Sequence, residues 1–293
     1  MSTPPFVALP AGVTAHRWPV RGTERAVLTA GFVDTGFVDG GDWVLLIPGF
    51  TGSKEDFIAV LPGLAQAGYG VVAYDQLGQH ESAGTGRAED YSLELLAADI
   101  GELVASVGER FGTTARPHLV GHSLGGLVCQ AAVAGGAVRP SALVLLCSGP
   151  GALPADRWQG LPDLVAALEN TDLATIWRIT RAMEQAEDVA PPPPAVAAFL
   201  ERRWHANDPA QLRAFAELLM SQPSITERLR PMIDDVPVTV MWGAADDAWP
   251  ISVQQAMADD LGADSVELPG VGHSPNSQDP ELLVDALLRA WAR

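Results

Sequence analysis

The sequence predicts an α/β protein: a mostly parallel central sheet flanked by helices, interrupted by an inserted helical cap. Three observations carry that prediction. From Trp43 onward, short apolar runs alternate with amphipathic segments, which is how parallel strands joined by crossover helices appear in one dimension. A strand-like run, a glycine-rich turn and a helical run follow one another directly over residues 118–134. Between about Pro154 and Asp235 the strand signal stops, while helical periodicity continues.

Taken in order, strands are predicted at 26–32, 43–47, 70–74, 118–120, 143–147, 238–242 and 265–268. Residues 92–111 form a helix whose Leu95, Leu96, Ile100, Leu103 and Val107 recur at helical spacing, with Ser92 as N-cap. Asp279-Pro280 announces the last helix, an N-cap followed by proline at the first helical position. Within the insertion, Leu173, Ile176, Trp177, Thr180 and Met183 mark one helical face. Phe199, Arg203 and Trp204 mark a second, and Leu212, Phe215, Leu218 and Leu219 a third. Pro191 to Pro194 read as a stiff spacer, and Ser224 with Glu227 as a capping box. The division is therefore a core of residues 1–153 and 236–293, with a cap of residues 154–235.

Bulk composition excludes several functions. With 293 residues and 47% hydrophobic content, the chain can bury one large core and support an insertion. Its longest apolar runs fall far short of the roughly 20 residues of a membrane helix, so no span is expected. Met1 to Pro5 lack a basic segment followed by an apolar one, which predicts no secretory signal and a cytoplasmic protein. A formal charge of −18 repels phosphate backbones and anionic lipid, arguing against nucleic acid or membrane partners. Cys129 and Cys147 form neither a metal spacing nor a disulfide framework, so both are expected as buried thiols. No His-Glu-x-x-His or paired Cys-x-x-Cys is present, and Gly52-Ser53-Lys54 lacks phosphate-loop spacing; no metal or cofactor is expected.

The chemical signal is Gly121-His122-Ser123-Leu124-Gly125-Gly126, between a predicted strand and a predicted helix. A serine projected from a sharp turn needs glycines two positions to either side, because side chains there collide as the backbone doubles back. The helix that follows aims its amide dipoles at the turn and favours negative charge there.

With these motifs the sequence resembles the α/β-hydrolase family over nearly its whole length. Pro48-Gly49-Phe50-Thr51-Gly52-Ser53 is similar to the family's oxyanion loop, and the resemblance implies that the backbone amides of Phe50 and Leu124 hold the oxyanion. Asp75 to Ser82 looks like the family's loop after the fourth strand, which is usually structural. The chain departs from the family pattern at Pro48, where histidine is most common, and at Leu77 and His80, where arginine and glycine are common. How the oxyanion loop is held without that histidine is left open.

A serine hydroxyl needs a base, and usually a carboxylate behind it. His273, in Pro269-Gly270-Val271-Gly272-His273-Ser274, lies where the family's catalytic histidine does; His80 is the rival, and His122 is expected to point away from Ser123. Asp246 in the segment Gly243 to Pro250 resembles the family's triad acid, with Asp247 the near alternative. The order Ser123, Asp246, His273 is the one expected of this fold. Trp158, Trp177, Met183 and Trp204 of the cap are candidate pocket residues, with core packing the competing role for each. The resemblance implies a serine hydrolase acting on a small-molecule acyl substrate, with cleavage of a small, largely apolar carboxylic ester the leading reading. Lactone, thioester, amide or carbon-carbon cleavage, aminopeptidase and perhydrolase activity, and a low-turnover receptor are the alternatives. An aminopeptidase would need an insertion carboxylate such as Glu184 or Glu201 near the substrate amine.

Overall fold

The computed structural model describes residues 2–33, 36–37, 41–158, 160–186 and 190–292. The strands are β1 (Thr14–Val20), β2 (Thr23–Ala30), β3 (Phe32–Val33), β4 (Gly36–Phe37), β5 (Trp43–Ile47), β6 (Gly70–Tyr74), β7 (His118–His122), β8 (Ala142–Leu146), β9 (Val238–Gly243) and β10 (Asp264–Leu268). Eight of them form one sheet in the order β1-β2-β6-β5-β7-β8-β9-β10, and β3 pairs with β4 in a separate two-stranded sheet. Strand β2 runs antiparallel to both neighbours, and every pair from β6 to β10 is parallel.

The central strands read as unbroken apolar runs because helices cover both faces of the sheet. Leu45 and Ile47 face one side, where α2 (Leu93–Phe111), α3 (Leu124–Ala134) and α9 (Ile251–Leu261) supply Leu96, Ile100, Leu127 and Met257. Val44 and Leu46 face the other, against Leu61 and Leu64 of α1 (Leu61–Gln66) and Leu283 and Leu287 of α11 (Pro280–Trp291). The expected caps form at both long helices: Ser92 Oγ accepts from Leu95 N, and Asp279 Oδ1 from Leu282 N.

Two sheet assignments need correction. Strand β1 escapes sequence reading because it is an edge strand with Pro19 inside it, and its buried side chains are Trp18 and Val20 alone. Strand β2 starts at Thr23, three residues before the expected position, because its polar first residues pair with β1 rather than the core. It stops at Ala30, and Phe32 belongs to the separate β3 hairpin.

Between β8 and β9 stand α4 (Leu161–Asn170), α5 (Leu173–Ala186), α6 (Pro194–Ala206), α7 (Pro209–Ser221) and the single turn α8 (Thr226–Leu229). Ile176, Trp177, Val196, Phe199, Leu200, Trp204 and Leu212 form a cluster of their own, while Phe215 and Leu219 of α7 join the main core. Met183 does not complete the buried face of α5; it is 62% exposed. The predicted capping box also fails: α8 takes Ile225 as N-cap, which puts Glu227 one position too early to reach back, and Ser224 Oγ instead pairs with Thr226 Oγ1.

Polar bonds tie this insertion down. Asp208, the N-cap of α7, accepts from Tyr91 Oη at 2.5 Å and Gly86 N at 2.7 Å. The guanidinium of Arg203 on α6 is buried; Nη1 lies 2.7 Å from Asp56 Oδ1 and Nη2 2.5 Å from the Ser2 carbonyl. Among the described residues no helix is long and apolar enough to cross a membrane.

Candidate active site

Strand β7 turns into α3 at Ser123, whose φ of 55° and ψ of −124° lie where a residue with a side chain is strained, by about 1–3 kcal/mol. Close contacts hold the turn in that state. Ser123 N donates to Leu146 O at 2.9 Å, and Gly126 N to Ser123 O at 2.9 Å. A Cβ on Gly125 would stand 2.4 Å from Ile47 O, and one on Gly121 would stand 2.4 Å from Gly125 O, so both flanking positions must be bare.

Three residues distant in sequence meet at this turn. His273, in the loop between β10 and the short α10 (Pro275–Gln278), places Nε2 3.1 Å from Ser123 Oγ. Its Nδ1 lies 2.8 Å from Asp246 Oδ1, in the loop after β9. Asp246 also accepts from Ala248 N at 3.0 Å and Gln254 Nε2 at 2.9 Å. Burial pushes the Asp246 carboxyl up, but the bond and charge of His273, the Ala248 amide and Gln254 outweigh it and hold the pKa below the usual carboxylate range. Asp247 is exposed, and His80 is turned toward Phe199 of α6, with its main chain bonded to Asn207. The structure therefore brings together Ser123, His273 and Asp246, and neither rival.

The question raised by Pro48 has a structural answer. Gln76 Nε2 donates to Pro48 O at 2.9 Å; Gln79 Nε2 donates to Gly49 O at 2.7 Å and Phe50 O at 3.0 Å. Two buried glutamines of the loop after β6 thus hold three successive carbonyls of the oxyanion-type loop. Neither role is visible in the sequence, where both look like residues of a polar turn. The Phe50 and Leu124 amides donate to no acceptor among the described residues. Gln79→Leu is expected to destabilise the protein by about 1–3 kcal/mol, the cost of two buried carbonyls losing their amide partner, and to lower turnover through displacement of this loop. Steady-state kinetics with a melting curve would check it.

Behind this loop Lys54 is buried with Nζ 2.7 Å from Glu55, 2.8 Å from Glu81 and 3.0 Å from Asp75. Burial lowers the pKa of its ammonium, but the three carboxylates outweigh burial and raise it above the ordinary lysine value. Glu55, His80 and Glu81 could in principle ligate a metal, but the Lys54 ammonium already bonds both carboxylates. Cys147, Asp246 and His273 make a second close set; Cys147 and Cys129 are both free and buried.

Ser123 opens into a cavity of about 350 Å³ walled by Phe50, Leu153, Trp158, Leu161, Leu219 and Trp249. Arg157 and Asp247 supply charge to its lining. Of the four candidate pocket residues, Trp158 lies here, while Trp177, Met183 and Trp204 line an adjoining apolar cavity of about 520 Å³. The two cavities share Phe50, Thr51 and Leu161. His122, expected to point away, lines the first cavity, with its ring centroid 5.1 Å from that of His273.

Comparison with known proteins gives three kinds of similarity. The chain is 39% identical over 85 residues to "Putative carbamate hydrolase RutD" of Stutzerimonas stutzeri, and 36% identical over 106 residues to the protein of that name from Variovorax paradoxus. These matches cover 29% and 36% of this chain and only about a third of the relatives' length, 29% and 38%. A thioesterase domain from the curacin biosynthetic pathway superposes with a TM-score of 0.70 at 20% identity, covering 94% of this chain and 99% of that one, a likeness of fold. The model of the alpha/beta hydrolase family matches residues 44–286. That span runs from β5 through the serine turn and the insertion into α11, and on this ground the chain belongs to the alpha/beta hydrolase family.

Proposed function

We propose that the chain is a serine hydrolase that cleaves a small, largely apolar carboxylic ester through an acyl-enzyme. The observation that carries this reading is the continuous relay from Ser123 Oγ through the His273 imidazole to Asp246, on the wall of a cavity of mixed lining that adjoins a second, mainly apolar one. Ser123 Oγ attacks the ester carbonyl carbon while His273 Nε2 accepts its proton. Asp246 keeps the imidazole in the tautomer with hydrogen on Nδ1 and stabilises the cation that forms. Charge on the former carbonyl oxygen meets the amides of Phe50 and Leu124. The tetrahedral species expels the alcohol, which takes the proton back from His273. Water, deprotonated by the same nitrogen, then attacks the acyl carbon and releases the acid and the free serine.

A second reading has support in the relatives' names: a carbamate offers the same carbonyl carbon to the same serine. One experiment separates the readings. Labelling with a fluorophosphonate probe identifies a reactive serine, and a panel of aryl carboxylates and aryl carbamates ranks the substrates. Labelling lost in Ser123→Ala with carboxylates turned over faster is the expected result; faster carbamate turnover favours the second reading, and labelling unchanged in Ser123→Ala overturns both. Because the larger apolar cavity adjoins the first, kcat/KM should rise about fourfold per methylene of acyl chain, the value of burying one CH₂, until the chamber is full. Leu164→Trp, narrowing that chamber, should abolish the rise while leaving the acetate within about twofold.

A further inference from the structure

The imidazole of His122 is buried, 3% exposed, and the proposed reaction gives it no part. Its Nε2 lies 2.7 Å from the carbonyl oxygen of His273, bridging 151 residues of sequence. A carbonyl only accepts, so the hydrogen must be on Nε2; Nδ1, which has no partner, is then the bare nitrogen. Burial first, then the neighbouring His273, push the pKa of His122 down to about 3, against weaker support from the His273 carbonyl and Asp246. The ring is neutral at working pH and the tautomer is fixed.

The main chain of residue 273 receives no other hydrogen bond among the described residues. Its loop is anchored on either side, by Ala245 N to Val271 O at 3.0 Å and by Asn276 Nδ2 to Asp56 O at 2.9 Å. Between those anchors Gly272 N donates to Gln278 Oε1 at 2.7 Å and Ser274 O accepts from Ser277 N and Gln278 N, but the carbonyl of residue 273 itself is held by His122, the residue before Ser123. An apolar ring would fill the same space without the cost of burying a polar one. The bond, rather than the volume, distinguishes histidine here.

Resting on the serine-hydrolase reading, we propose that His122 is a positioning residue: its Nε2–H holds the His273 main chain beside the serine turn and so sets the Ser123 to His273 distance. Both partners of the proton transfer are thereby referred to one rigid dipeptide, His122-Ser123, instead of to two loops that drift independently.

Three substitutions test this. His122→Gln can place an amide N–H where Nε2 stands, His122→Asn is too short to reach, and His122→Phe fills the space without a donor. Glutamine is expected to keep kcat within about threefold. Asparagine and phenylalanine should lose about ten- to a hundredfold in kcat with KM within about twofold, the pattern of a misplaced reacting group. The second readout is the low-field proton resonance of His273 Nδ1–H, expected in the wild type and the glutamine protein, and broadened or lost in the other two. A phenylalanine variant with full kcat and an intact resonance would overturn the proposal, as would a glutamine variant as impaired as phenylalanine. If phenylalanine prevents folding, the glutamine and asparagine pair decides. A wild type inert to esters and to fluorophosphonate would instead overturn the hydrolase reading, while the resonance series would still decide the role of His122.

Discussion

Ser123→Ala is expected to reduce ester kcat by about 10⁴- to 10⁶-fold, and His273→Ala by a comparable factor, since nucleophile and base act as one unit. The double variant should be little worse than either single one, because neither group accelerates attack without the other. Residual turnover above the uncatalysed rate is expected from the Phe50 and Leu124 amides, which both substitutions leave in place. Asp246→Asn should fall in the same direction, because a neutral amide 2.8 Å from His273 Nδ1 no longer stabilises the imidazolium and, with its NH2 turned toward Nδ1, favours the wrong tautomer. Active-site-titrated kinetics on an activated aryl ester would check the series; a His273→Ala protein with undiminished turnover would remove that residue as the base.

The second large effect concerns stability. Arg203→Ala should destabilise the protein by about 3–5 kcal/mol, because it leaves the fully buried Asp56 carboxylate without its cation. The carboxylate also accepts the Ser53 amide, and the Asp56 carbonyl holds Asn276, so one pair ties α6 to the oxyanion-type loop and to the loop that carries His273. The pH dependence has a definite sign. Burial pushes the Asp56 carboxyl up, with Arg203 as the main opposing influence, so removing the arginine raises it further. The variant's deficit should therefore shrink as pH falls and Asp56 takes up a proton, and grow as pH rises through that pKa. Denaturant unfolding at several pH values would measure it. A joint Arg203→Met and Asp56→Leu protein should regain most of the lost stability, since neither charge then stays behind.

Much of this molecule can be read from its sequence where one physical cause dominates. The central strands are doubly covered, so their apolar runs are unbroken, and the serine turn is marked because bare positions at 121 and 125 are sterically required. Asp246 stands out from Asp247 only through the spacing of its loop. Strand β1 is silent because an edge strand with half its side chains in water and a proline inside has no pattern of its own. Gln76, Gln79, Gln254 and His122 are equally silent: their side chains bond groups 28, 30, 8 and 151 residues away, and no local periodicity encodes such a partner. The exposure of Met183 at the end of a helical face shows the reverse case, a correct period whose last position lines a cavity instead of joining a packed core.

Lys54 is the sole lysine of the chain, and its ammonium is sealed among three carboxylates. Reagents that acylate free ε-amines therefore find no target while that nest is closed, and gain one only when it opens. A timed pulse of such a reagent, read by mass at a single tryptic position, becomes a clock for excursions of the loop network beneath the reactive serine.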